Sequence, residues 1–369
     1  MIPVSINPLS LKDIALASIF DYEDDFRSAL SEHTGCEHVI LTDSGTSALY
    51  LLFRAYGVGK NDVVGLPAYV CEKVVRFVLD YGCRLRFFDV DESYDVSPEK
   101  MDRVDFLVAI HMFGNPCRID ELKDFAKVVM EDSAQCIGAK YKGNKVGSLG
   151  DSAILSFGMG KPLTAMGGGA IVTNDGNLAR RLERFSYRRG TKIIESLLYW
   201  VLTKRRVYGM LKGRIDRIRV KRRKKLKEPL EYDPKGITRF QASLGARGIK
   251  RLKEFNDRRI ENYEALRSEL RRIKGIKLPK VHKFVEPVFV RLPVYIENDH
   301  FRMAIMRQLI SRGIETTIPY EYAPEFFKLK GEYPTARRLS KGTITLPTHP
   351  FLKREDVGNI VDVFRRLGE

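Results

Sequence analysis

From Cys36 onward the chain alternates short apolar runs with stretches of helical spacing. HVILTD (38–43) reads as a strand and SALYLLFRAYG (47–57) as a helix stopped by its glycine; DVVGLP (62–67) is a strand and CEKVVRFVLDYG (71–82) a helix. CRLRFFDV (83–90) and DFLVAIHM (105–112) follow as strands, IDELKDFAKV (119–128) as a helix, and VVMED (128–132) as a strand. SAILSF (152–157) and GGAIVTND (168–175) extend the series, and the next segment, about 178–192, is helical and charged. Apolar strands separated by amphipathic helices predict a largely parallel sheet covered on both faces. Ligands of such sheets bind at the carboxyl ends of the strands, so chemistry is sought there.

The pattern changes at both ends. Residues 1–32 form an N-terminal arm with one helix from about Leu11 to Glu32, ahead of a large domain over 33–192. Residues 193–234 break the alternation: an apolar IIESLLYWVL (193–202) is followed by a basic tract. Over 235–369 a long helix, roughly Thr238 to Arg272, leads into a smaller α/β domain. There PVFVRLPVYI (287–296) and TITLPTH (343–349) read as strands, HFRMAIMRQLISRG (300–313) and EDVGNIVDVFRRL (355–367) as helices.

The 369 residues carry 64 Lys and Arg against 47 Asp and Glu, a net charge of +17 that would suit a nucleic-acid binder. Its distribution argues otherwise. Thirteen basic residues against the single Asp216 fall between Thr203 and Lys227, leaving about +5 for the rest, so no nucleic acid is expected as a partner. The N-terminus shows no basic segment leading into an apolar core, which predicts no signal peptide. No apolar run reaches the ~18 residues of a membrane span. Five scattered cysteines without a C-x-x-C pair predict neither a disulfide framework nor a metal site, and suit a reducing cytoplasm.

Four local features fall at strand ends. Asp43-Ser44-Gly45-Thr46-Ser47 places small and hydroxyl residues at a helix N-terminus, where free N–H groups and the helix dipole favour a phosphate; the same residues cap helices that bind nothing. Val129–Gln135 delivers Asp132 to the sheet edge, followed by the small Ala134; such an aspartate can hold a pyridine nitrogen protonated or merely cap the next turn. Ser156 closes a strand and Lys161 follows in a loop too glycine-rich for a helix, a setting for an imine-forming lysine with a depressed pKa. Met166-Gly167-Gly168-Gly169 permits close backbone approach.

These stretches together resemble the DegT/DnrJ/EryC1/StrS aminotransferases, which make amino sugars from nucleotide-linked keto sugars. The similarity runs from about Gly35 to Ala179 and from about Ile237 to the C-terminus. It is carried by SGTSAL, EDSAQCIGAKYKGNKVGSLGDSAILSF, Lys161 with the glycines, RFQASLGARGIKRL and LSKGTITLPTHP. The resemblance implies the aspartate-aminotransferase type of fold (fold type I), with a mostly parallel seven-stranded sheet and a smaller C-terminal α/β domain. It also implies a homodimer with the active site at its interface, and pyridoxal 5'-phosphate (PLP/PMP) as cofactor. By position, Gly45 and Thr46 would bind the cofactor phosphate with help from Ser156. Asp132 would pair with the ring nitrogen above Ala134, Gln135 would bond the phenolic oxygen, and Lys161 would hold the cofactor as a Schiff base. Glutamate is the expected amino donor and a keto sugar on a nucleotide or lipid phosphate the acceptor. The freed Lys161 amine would move a proton between donor Cα and cofactor.

Departures from the family accompany the match. The residue that covers the cofactor ring is normally aromatic; that position is Cys71, with Tyr69 nearby, and the reading leans to Tyr69. A glutamate is missing among the glycines. An Asn that reaches the partner's cofactor phosphate, and a neighbouring Arg, are replaced by Pro234 and Gly236. His111 at a strand end, and Tyr320 and His349 in segments matching the family's substrate end, are candidate substrate contacts. LLYWVL followed by Lys204-Arg205-Arg206 has the makings of an interfacial helix with an aromatic anchor, so 196–230 would hold the enzyme on the inner, anionic face of the membrane, or form a solvated arm. Two other functions were weighed. Sugar dehydratases on this fold usually replace the lysine by histidine, which Lys161 argues against; a non-catalytic binding protein would have no use for the Lys161–Asp132 pair.

Overall fold

The computed structural model describes residues 1–6, 9–182 and 192–368. The large domain is built on strands β1 (His38–Thr42), β2 (Val63–Pro67), β3 (Arg84–Phe88), β4 (Val104–Ile110) and β5 (Ala126–Asp132); a short hairpin of β6 (Lys140–Tyr141) and β7 (Asn144–Lys145) precedes β8 (Ser152–Ser156) and β9 (Gly169–Thr173). They form a seven-stranded sheet in the order β1-β9-β8-β5-β4-β2-β3. Pairing is parallel from β3 to β8, while β9 runs antiparallel to both β8 and β1. The mostly parallel sheet expected from the sequence is thus present. Its central strands are buried on both faces, which is why they read as nearly unbroken apolar runs.

Helices α1 (Leu11–Ile19) and α2 (Glu23–Thr34) replace the single N-terminal helix expected. The break is made by tertiary contact: the Ser243 hydroxyl donates to the Phe20 carbonyl at 3.0 Å and accepts the Tyr22 N–H at 3.0 Å. Helices α3 (Gly45–Tyr56), α4 (Glu72–Tyr81), α5 (Ile119–Leu122) and α6 (Gly176–Leu182) cover the sheet. The expected helix at 119–128 is shorter than its pattern, because Ala126 already belongs to β5. Most of the expected charged helix at 178–192 lies outside the described residues. The basic segment forms α7 (Ile193–Leu202) and α8 (Arg205–Lys225), and an extended stretch leads to α9 (Arg239–Ile249) and α10 (Leu252–Leu270).

The long helix expected over 238–272 is broken at Lys250-Arg251, where Arg251 and Arg247 turn to the Asp13 carboxylate of α1 at 2.5 and 3.1 Å. The small domain carries β10 (Ile276–Lys277), β12 (Arg291–Ile296) and β13 (Thr343–Pro347) as an antiparallel sheet, with β11 (Val285–Glu286) paired to β6 of the large domain. Its helices are α11 (Asp299–Ser311), α12 (Ala323–Phe327), α13 (Pro334–Gly342) and α14 (Arg354–Gly368).

The basic segment is no free arm. Glu315, fully buried, accepts from Arg219 at 2.5 Å, the Tyr208 hydroxyl at 2.9 Å and the Val4 N–H at 2.7 Å, with Lys212 at 3.3 Å. Burial alone would raise its pKa; the Arg219 charge, the Val4 N–H and Lys212 together bring it below the usual carboxylate value. Arg205 adds a pair with Asp356 at 2.5 Å, so α8 is clamped to the small domain.

Candidate active site

The site lies at the carboxyl ends of β1, β5 and β8, as a parallel sheet dictates. Ser44 is extended and its Oγ accepts the Ser47 N–H at 3.1 Å, starting α3. The first-turn N–H groups of Gly45 and Thr46 meet no acceptor among the described residues, which leaves an anion cradle. Two glycines make this approach possible. A Cβ on Gly169 would lie 2.6 Å from Gly45 N and 2.7 Å from the Leu155 carbonyl, and one on Gly45 only 3.1 Å from Ser156 Cβ. The α3 start and Ser156 at the end of β8 are therefore brought edge to edge.

β5 delivers two carboxylates with opposite fates. Glu131 points into the core and is saturated: it accepts the N–H groups of Gly147, Leu149 and Gly150 at 2.7–2.9 Å and contacts His111 Nε2 at 2.8 Å. Asp132, on the other face, accepts only the Ala134 N–H, at 3.0 Å. Beside it Gln135 donates from Nε2 to the Tyr320 hydroxyl at 3.3 Å, while its Oε1 is buried without a partner. An amide oxygen cannot stay so without cost unless a donor arrives.

Lys161 follows in the loop after β8. Phe157's carbonyl gathers the N–H groups of Ala165 and Gly167 and the Thr164 hydroxyl, folding the loop back on itself. Ser5 Oγ donates to the Gly160 carbonyl at 2.7 Å, and Arg259 of α10 donates to the Pro162 carbonyl at 3.1 Å. Burial lowers the Lys161 pKa, opposed by the charges of Asp132 and then Cys71. That is the state an imine-forming amine needs.

The sequence candidates therefore divide. Gly45, Thr46, Ser156, Asp132, Ala134, Gln135, Lys161 and Tyr320 lie around one region. Tyr69, expected to cover the cofactor ring, is wholly buried with its ring against Tyr94, Phe113 and Tyr320 at 5.0, 6.1 and 5.8 Å, so it has no open face to offer. Cys71, whose thiol feels both Lys161 and Asp132, is the residue at that place. His111 is also corrected: the Cys117 N–H donates to Nδ1 at 2.9 Å, so Nε2 carries the proton and donates to Glu131, and neither nitrogen is left for a substrate. His349 is buried beside Arg259, Arg205 and Asp356, accepting the Phe351 N–H at 3.2 Å, and takes no part in the cluster around Lys161.

Sequence reading missed Arg259, whose Nη1 donates to Asn256 at 2.7 Å while Asn256 donates to the Ile137 carbonyl at 3.0 Å. α10 thereby braces the loops after β5 and β8 together. It missed Arg291 and Lys73 as well; no local motif marks any of the three. The α3 N-terminus opens into a cleft of ≈ 250 Å³ whose walls include Ser44, Thr46, Ser47, Lys73, Tyr232 and Pro234. Tyr232 stacks on Tyr50 and donates to Asp80 at 3.2 Å, so the segment carrying the departures from pattern lies against its own chain's cradle.

The donor set fits PLP: an unfilled N–H cradle for a phosphate, a carboxylate with spare acceptor capacity, an orphaned amide oxygen, and a lysine of lowered pKa. Comparison with known proteins agrees. The model of the DegT/DnrJ/EryC1/StrS aminotransferase family matches residues 11–365. A dTDP-3-amino-3,6-dideoxy-alpha-D-galactopyranose transaminase of Aneurinibacillus thermoaerophilus is 28% identical over 94% of this chain and 90% of its own. A UDP-4-amino-4,6-dideoxy-N-acetyl-beta-L-altrosamine transaminase of Campylobacter jejuni is 24% identical over 92% and 88%. Among solved structures, Spr1654 of Streptococcus pneumoniae, put forward as a sugar aminotransferase, superposes in its PMP form with a TM-score of 0.80 at 19% identity, covering 100% of this chain and 97% of that one. It is also solved in a PLP form.

Proposed function

The chain belongs to the DegT/DnrJ/EryC1/StrS aminotransferase family and is a PLP-dependent sugar aminotransferase; from that premise we propose that it moves an amino group from glutamate to a nucleotide-linked keto sugar, with Lys161 as the catalytic base. The observation that carries the site assignment is the desolvated lysine in the field of Asp132. When bound, PLP supplies an electrophilic carbon for amines and a protonated ring that accepts electrons from a deprotonating carbon. Gly45, Thr46 and Ser156 hold its phosphate, and Asp132 keeps the ring nitrogen protonated. Gln135 meets the phenolic oxygen, Ala134 leaves room for a flat ring, and Cys71 covers it. Lys161 Nζ then takes a proton from the donor carbon and returns it across the ring; its lowered pKa keeps a neutral fraction for this task. The nucleotide carrier is supported by the names of the two transaminases above, and the dehydratase alternative has no such support.

The test is a spectrum. With PLP the wild type gains a visible band that bleaches to the near ultraviolet on adding glutamate. Lys161→Ala loses turnover by ~10⁴-fold or more, about 5.5 kcal/mol of barrier, and loses the covalent adduct trapped by borohydride. A trapped adduct at another lysine would refute the assignment.

The enzyme works as a homodimer, and it docks on anionic membrane through α7 and α8. The expected aromatic anchor, Trp200, is instead packed against α1 and α9 with Lys204 4.1 Å over its ring. The apolar stripe that supports docking is Ile194, Leu197, Leu198 and Val201, 41–72% exposed at helical spacing beside the exposed lysines and arginines of α8. Among the described residues no helix is long and apolar enough to cross a membrane. Replacing the four stripe residues by serine should abolish co-sedimentation with anionic vesicles and spare turnover; unchanged pelleting counts against docking.

A further inference from the structure

Arg291 is an unassigned cation at the edge of the site. It opens β12, and the residue before it, Val290, donates its N–H to the Phe113 carbonyl at 3.0 Å. That bond ties the start of the strand to an aromatic cage: Phe113 stacks on Tyr320 with centroids 6.2 Å apart, and Tyr69 meets Tyr320 edge-on at 5.8 Å. Tyr320 in turn receives the Gln135 amide, one turn from Asp132. The Arg291 charge reaches Lys161, Tyr69 and Tyr320 alike, which places the guanidinium between the cage and the lysine.

What it lacks is an anion. Its Nε is buried with no acceptor, and no carboxylate pairs with it among the described residues. The other part-buried arginines around the site are matched: Arg118 with Asp91, Arg223 with Glu72, Arg259 with Asn256 and the Pro162 carbonyl. Arg291 instead shares its surroundings with a second cation, Lys161. Two cations held together out of bulk water, one with an orphaned donor, are unfavourable unless a negative group joins them.

The reaction brings such a group. An amino-acid donor carries a carboxylate on the carbon whose nitrogen must reach the place of Lys161 Nζ, so that charge arrives one bond from the reacting carbon. The keto sugar is neutral around its carbonyl, and its phosphates lie beyond the ring. A guanidinium is always charged at working pH and offers a planar fork that fits a carboxylate.

We propose that Arg291 is the receptor for the α-carboxylate of the amino donor, fixing the donor carbon against Lys161 and excluding plain amines by affinity. The inference rests on the transaminase reading above. Arg291→Gln and Arg291→Lys holoenzymes are mixed in a stopped-flow instrument with glutamate alone, then with propylamine alone, and titrated calorimetrically with glutarate.

Arg291→Gln should keep the visible band and the borohydride-trapped Lys161. The glutamate concentration for half-maximal bleaching should rise on the order of 100-fold, propylamine should react as in wild type, and glutarate binding should vanish. Arg291→Lys should recover part of the loss. Removing the positive charge should also raise the pH at which the Lys161 chromophore titrates. Unchanged glutamate bleaching in Arg291→Gln overturns the proposal, as does equal loss with propylamine, which marks a structural role. Glutamate bleaching intact with only the sugar half-reaction slowed also overturns it, by assigning the anion to the sugar. If wild type binds PLP but glutamate never bleaches it, the transaminase reading fails and this inference with it.

Discussion

Two places in the molecule bury charge, and they treat it differently. Around Glu315 each carboxylate oxygen is answered by Arg219, Lys212, Tyr208 or a backbone N–H from Val4, and those bonds clamp α8 and the N-terminal arm to the small domain. Around Lys161 the account stays open: Asp132 accepts one bond, Gln135 Oε1 none, and Arg291 Nε finds no acceptor. A buried charge with its full set of partners is architecture, because removing any partner strands the rest. A buried polar group left short of partners is tolerated where a ligand completes it. Glu131 and Asp132 repeat the contrast on adjacent residues of one strand.

The comparison predicts opposite outcomes for two carboxylate deletions. Asp132→Asn should lower turnover by ~10³-fold, about 4 kcal/mol of barrier, since the ring nitrogen loses the anion that keeps it protonated. Cofactor-free stability should hold within about 0.5 kcal/mol, because the Ala134 N–H still finds an amide oxygen. Glu315→Ala should do the reverse, costing roughly 3–5 kcal/mol in urea unfolding as Arg219, Lys212 and Tyr208 are left without their acceptor. Turnover per folded molecule should change little. A Glu315 variant that unfolds like wild type would collapse the distinction.

The part of this that could be read from sequence is the part that is local. Strands β1, β2, β4, β5 and β8 announce themselves as apolar runs bounded by turns, and Lys161, Asp132, Gln135, Ser156 and Gly45 sit at fixed offsets from them. What escaped depends on contacts distant in sequence. The breaks at Phe20–Tyr22 and Lys250–Arg251 exist because Ser243 and Asp13 reach across from other helices. The antiparallel entry of β9 is a pairing choice that its own residues do not encode. His111 and Tyr69 misled for one reason: a place at a strand end does not tell which face a side chain takes. His111 went to the Glu131 side, Tyr69 into the cage, and Arg291 arrived from a strand with no motif at all.

His349 sharpens the comparison further, since its Nε2 is also buried without an acceptor, yet it lies away from the chemistry. Burial, with the charges of Arg259 and Arg205 behind it, pushes its pKa down to about 3, so it stays neutral throughout the working range. The sign follows from linkage. The unfolded chain takes up a proton near pH 6.5 and the folded one only near 3, so unfolding is favoured as pH falls through that window. Stability should drop by about 2 kcal/mol between pH 7 and 5 from this residue alone, approaching about 5 kcal/mol by pH 3. His349→Gln, with a neutral side chain that does not titrate, should lose that share of the acid slope and keep its kcat/KM for both substrates. Urea midpoints of the two proteins at pH 7, 6 and 5 measure the difference. Parallel slopes would mean that the histidine is not held neutral; a selective loss of kcat/KM would return it to the site, and an orphaned donor would then mark function even beside two arginines.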